Sequence, residues 1–159
     1  MSTRSLLDKT DSSRQLVKIF KDMKKREYFD LYSGMQLGEL MLHGAYKHRW
    51  NCVKTFMTEL GVDLNYQSKT NSATVLIIAA WAGKVPFVKW LLSLPDNDTL
   101  DIFARGQLTL TSACGGVGPY TAREWATRKA IVCGHNDPGF KTCEVLLKKK
   151  EEAINRQIC

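Results

Sequence analysis

Thr74-Val-Leu-Ile-Ile-Ala-Ala-Trp-Ala-Gly83, followed by Phe87-Val-Lys-Trp-Leu-Leu92, is the stretch on which the fold turns. Thr74 stands where a hydroxyl can cap a helix, and Gly83 stands where the first helix must stop. Val88, Leu91 and Leu92 recur at helical spacing and mark a second helix. The run from Val75 to Pro95 is long and apolar enough to suggest a membrane span. Lys84 and Lys89 lie inside it, with Gly83 and Pro86 at its middle, and such charges are costly at a bilayer centre. A buried helix–turn–helix is predicted instead.

Working outward, the same pattern recurs at an offset of 35 residues. Glu39-Leu-Met-Leu-His-Gly-Ala-Tyr46 overlays Thr74 to Trp81, and Val53-Lys-Thr-Phe-Met57 overlays Val88 to Leu92. The first copy ends in Gly61-Val-Asp-Leu-Asn65, a turn with short extended residues. A more diverged third copy begins at Thr121-Ala-Arg-Glu-Trp-Ala126, passes Gly134-His135 and ends in Cys143-Glu-Val-Leu-Leu147. A fixed period of this length is the signature of a solenoid.

The ordered set of weak signals resembles the ankyrin repeat over roughly residues 34–150. The middle copy carries the pattern best, the first adds Leu42-His43-Gly44-Ala45 and the 61–65 tail, and the third adds Thr121 and Gly134-His135. The chain departs from the pattern where Val75 and Ala122 replace the usual proline and Glu39 replaces the capping threonine. The resemblance implies an all-α ankyrin-repeat solenoid of three to four helix–turn–helix units. Ala79 and Ala80 would then be small because neighbouring units stack there, and polar end units would be required. It places an expanded loop at 95–120 and an insertion at 129–140 within a repeat domain of residues 34–159. It also implies a concave groove whose lining is Tyr46 and Lys47, Trp81 and Ala82, and Arg128 and Lys129, with Thr70 and Asn71 at a hairpin tip. Aromatic and basic side chains in such a column suit an interface anchor.

Residues 1–33 read as a basic arm carrying one amphipathic helix over 12–29. Ser12 with Gln15 is a capping signature, and Leu16, Ile19, Phe20 and Met23 form an apolar stripe. Arg14, Lys18, Lys21 and Lys25 share a different, basic face. The whole chain of 159 residues carries a formal charge of +7. Residues 1–26 hold eight basic side chains against Asp8, Asp11 and Asp22, which is +5 of that total. A basic segment on a nearly balanced body predicts an acidic partner surface.

Catalytic chemistry finds little support. Ser112-Ala-Cys-Gly-Gly-Val-Gly118 matches no phosphate-binding motif and has no following lysine. Cys133 and His135, with Cys114 and Cys143, supply ligands for zinc on paper but lack a paired short spacing. The three histidines, His43, His48 and His135, suit structural roles better than a cysteine–histidine nucleophile, and His43 is expected to bond across a hairpin. Five widely spaced cysteines without CxxC, and no apolar leader in MSTRSLLDKTDSS, predict free thiols and an intracellular setting, cytoplasmic or nuclear. The expectation is a non-enzymatic protein–protein interaction module without a cofactor or transmembrane segment. Alternatives are a fixed subunit of a large assembly, nucleic-acid-containing or not, anchored by the basic helix, and a short inhibitor that competes for the partner of a longer repeat protein. A metal site or enzyme built on residues 104–140 is the remaining one.

Overall fold

The computed structural model describes residues 2–25, 34–95, 99–108, 118–133 and 138–158, the side chains of 23–25, 34–36 and 133 excepted. The described chain is all-helical. Its elements are α1 (Thr3–Lys9), α2 (Ser13–Lys25), α3 (Gly34–Tyr46), α4 (Trp50–Thr58), α5 (Val75–Trp81), α6 (Val85–Ser93), α7 (Ala122–Cys133) and α8 (Pro138–Ile158). Among the described residues there is no strand, only an isolated antiparallel bridge between Gly106 and Tyr120. None of these helices is long and apolar enough to cross a membrane. The chain divides into two compact units, Met1–Ser68 and Lys69–Cys159.

Each unit is a pair of stacked helix hairpins. In the first, α1 lies on α3 and α2 on α4; in the second, α5 lies on α7 and α6 on α8. The hairpin turns repeat atom for atom at the offset read from the sequence. After α3, the amides of Lys47, His48 and Arg49 donate to the carbonyls of His43, Ala45 and Gly44. After α5, Ala82, Gly83 and Lys84 donate to Ile78, Ala80 and Ala79. The left-handed position in each turn is His48 (φ 58°) and Gly83 (φ 67°). Glycine adopts that conformation without penalty, whereas a histidine there is uncommon. At Gly83 a second constraint applies, because a Cβ would stand 2.8 Å from the Phe140 ring.

The caps follow the sequence. Thr74 Oγ1 accepts from the Ile77 amide at 3.2 Å. Thr121 Oγ1 accepts from the Glu124 amide at 3.3 Å while the Glu124 carboxylate accepts from the Thr121 amide at 3.0 Å, a reciprocal capping box. Ser12 Oγ accepts from Gln15 at 3.3 Å at the start of α2. Ala79 and Ala80 are fully buried, as are Val88 and Leu91, whereas Leu92 is half-buried.

Three features differ from the expectation. A short helix, α1, precedes the amphipathic one, so the N-terminal segment is a hairpin layer rather than an arm with a single helix. Leu6 and Leu7 bury it on α3, and Arg49 from the next turn donates to the carbonyls of Leu7 and Asp8 at its C-terminal end. Second, His43 bonds not across its own hairpin but to the Asp8 carboxylate on α1, at 2.7 Å. Third, most of the 129–140 stretch is helical: α7 continues to Cys133 and α8 begins at Pro138. Of the helix expected over 12–29, α2 accounts for the part to Lys25 and the rest lies outside the described residues, as do most of the glycine-rich 112–118 segment and Gly134-His135.

Cys52 and Cys143 are buried free thiols. Burial, reinforced by the Asp11 carboxylate, pushes the Cys52 thiol up to about 12. The reactive species is the thiolate. In the native protein at pH 8, alkylation should therefore leave Cys52 and Cys143 unmodified, and denaturation without reductant should expose all five cysteines. Intact mass after each step gives the count. Loss of two reactive thiols that only a reductant restores would contradict free cysteines.

Candidate interaction surfaces

In the second unit, three elements converge on Trp81. The residue ends α5 and is half-buried, and the Lys129 ammonium of α7 sits 4.5 Å from its ring centroid. The same ammonium lies 5.9 Å from the ring of Phe140, in the first turn of α8. The phenyl ring is in turn admitted by the absence of a side chain at Gly83. A cation against an indole face gains about 0.5–2 kcal/mol depending on its desolvation. The buried indole Nε1 has no hydrogen-bond partner among the described residues.

One residue earlier on α7, the Arg128 guanidinium covers the Tyr120 ring at 3.9 Å. Tyr120 meets Trp125 edge-on, with centroids 5.2 Å apart, and the Trp125 indole donates to the Gly106 carbonyl at 2.9 Å. Consecutive cations of α7 are thus each parked on an aromatic ring and fixed in direction while remaining half-exposed. Arg123, by contrast, is ion-paired with Glu151 of α8 at 2.9 Å.

The structure brings Trp81 and Lys129 together and gives Arg128 a ring the sequence reading missed. Tyr120 directly precedes the capping Thr121, and that adjacency is the signal that would have found it. Ala82 is half-buried in the turn after α5. At the hairpin tip, Thr70 is exposed, whereas Asn71 serves the fold: its carbonyl accepts from Gln107 at 2.8 Å and its side-chain oxygen from Ala73 at 3.1 Å.

In the first unit, Tyr46 is half-buried at the end of α3 and Lys47 is exposed, 3.9 Å from Asp8. The His43 hydrogen bond, aided by nearby His43, Lys47 and Arg4, holds the Asp8 carboxyl below the usual carboxylate range. Arg14, Lys18 and Lys21 are exposed on α2, while Leu16 and Phe20 on its other side are buried. Phe20 meets Phe56 of α4 edge-on at 6.0 Å. The Lys25 side chain lies outside the described residues.

For catalysis or metal binding, no cluster of three or more His, Cys, Asp or Glu side chains is placed to hold an ion among the described residues. Of the four zinc candidates, only the Cys143 side chain is described, and it is buried. Cys114, the Cys133 side chain and His135 lie outside the described residues. Compared with family models, with curated proteins and with solved structures, the chain matches none of them.

Proposed function

We propose that the chain is a non-catalytic interaction module of the ankyrin type, working inside the cell, which binds a protein partner with an acidic surface through its groove and hairpin tips. The observation that carries this reading is the pair of identical hairpin turns at the 35-residue offset, with Trp81 and Lys129 meeting at positions the repeat register assigns to the groove. Within each unit the stacked hairpins fit a solenoid, where a hairpin buries its apolar face on the next one. Aromatic and cationic side chains that are already held in place lose little freedom on binding, which favours them as anchors. The chemistry suits a carboxylate-bearing partner, since a guanidinium offers it a bidentate contact.

The test is affinity capture with the intact chain, followed by kinetics of the captured protein against wild type and Trp81→Ala. A partner lost in the variant supports the reading. A partner held equally by both would remove the groove from the account.

A further inference from the structure

The first unit carries a second surface, chemically unlike the first. Three acids accompany the basic side chains of α1 and α2, and the fold engages two of them. Asp8 is held by His43 at 2.7 Å and approached by Lys47 at 3.9 Å. Asp11 accepts from the Asn51 and Cys52 amides at 3.2 and 2.9 Å, capping α4. Asp22 lies exposed on α2 beside the cations, and Asp8 is exposed too, at the end of α1. Arg14, Lys18 and Lys21 follow one another at i, i+4 and i+7 and form an exposed row about 10 Å long. Arg4 and Lys9 are exposed on α1.

The apolar side of α2 decides what this row can meet. Leu16 is fully buried and Phe20 is 3% exposed, with Val17 and Ile19 half-buried, so the described apolar side chains of α2 are taken up by the fold rather than left to lie in a bilayer or a partner's groove. The exposed large hydrophobic side chains among the described residues, Phe103, Ile131, Val132, Val145 and Ile158, all belong to the second unit. A protein interface takes most of its energy from buried aromatic or aliphatic anchors and is depleted in lysine. A nucleic-acid backbone requires only cations, because affinity comes from releasing condensed counterions.

We infer that the Arg14–Lys18–Lys21 row of α2 binds the phosphate backbone of nucleic acid without sequence selectivity. The row shares no residue with the Trp81 surface. Three neutralised phosphates give a log–log salt slope of about −2 on single strands and nearly −3 on duplex DNA. That corresponds to a roughly 20- to 40-fold loss of affinity between 50 and 200 mM salt. Asp22 flanks the row and works against it.

The experiment is fluorescence anisotropy of the full chain with a labelled 20-nucleotide RNA and a 20-base-pair DNA of mixed sequence, over 50–200 mM NaCl. The expected slope is −2 or steeper. Replacing the row together, Arg14→Gln, Lys18→Gln and Lys21→Gln, should flatten it by about 2 to 3. Asp22→Asn should tighten binding, more at 50 mM than at 200 mM salt. Replacing the exposed Lys148 and Lys149 of α8 is the comparison, since it adjusts charge elsewhere. No binding at 50 mM, an unchanged slope in the triple variant, or a larger loss from the α8 pair would overturn the inference. So would tighter binding of poly-glutamate, or of vesicles containing phosphatidylserine, than of either oligonucleotide.

Discussion

Trp125→Ala should lower the stability of the chain by about 3–5 kcal/mol, the largest effect expected of any single truncation here. The indole is fully buried, and it performs two tasks at once. Its ring fills the space where α7 meets the 100–108 segment, and its Nε1 donates to the Gly106 carbonyl. Truncation leaves a cavity that the backbone around Gly106 cannot close. That glycine is already pressed on the loop before α5, since a Cβ there would collide with the Ser72 carbonyl oxygen. Tyr120, which packs its ring on Trp125 and carries Arg128 on its face, would lose its support as well. Trp125→Phe separates the two contributions. It retains most of the volume and should cost about 1 kcal/mol for the hydrogen bond, because Gly106 still accepts from the Tyr120 amide at 3.2 Å. Urea unfolding midpoints of the two variants give the comparison. A Trp125→Ala midpoint within error of wild type would mean that this residue does not organise the hairpin of α7 and α8.

What was legible beforehand follows from where each signal resides. The α5–α6 hairpin announced itself through local chemistry: a capping Thr74, a six-residue buried run from Val75 to Ala80, and a glycine that alone fits the turn beside Phe140. Its copy at α3–α4 was found by offset, although Glu39 stands in place of the threonine. The structure explains that substitution, since α3 begins earlier, at Gly34, and the Glu39 carboxylate accepts from Tyr66 and Ser68 in the segment after α4. Helix α1 was not legible. Seven residues with only Leu6 and Leu7 as apolar members are too short to be helical alone, so the helix depends on Arg49 and the face of α3. The same reason hid the partners of the candidate groove residues. Register places Trp81, Arg128 and Lys129 in one column, but Phe140 reaches Lys129 and Tyr120 reaches Arg128 from outside the repeat pattern, and only tertiary packing shows it.

Trp81→Ala should weaken partner binding by on the order of 2 kcal/mol or more, through faster dissociation and at every salt concentration. The side chain is half-buried, and its indole N–H has no acceptor among the described residues, so its removal costs the fold less than the removal of Trp125. The effect on binding is larger for a physical reason: the ring positions the Lys129 ammonium, and without it the lysine returns to a mobile, fully hydrated state. Lys129→Gln tests that coupling. If the ring acts partly by orienting the cation, the two substitutions combined should cost less than the sum of each alone, a coupling of about 0.5–2 kcal/mol between contacting residues. Neutralising Lys18 and Lys21 should instead slow association at low ionic strength and leave dissociation unchanged, since exposed charges are screened beyond about 10 Å at 0.1 M salt. Binding kinetics of the captured partner over a range of salt distinguish these outcomes. If Trp81→Ala left affinity intact while the lysine variant abolished it, the binding function would belong to α2. The hairpin stack would then serve as its mount.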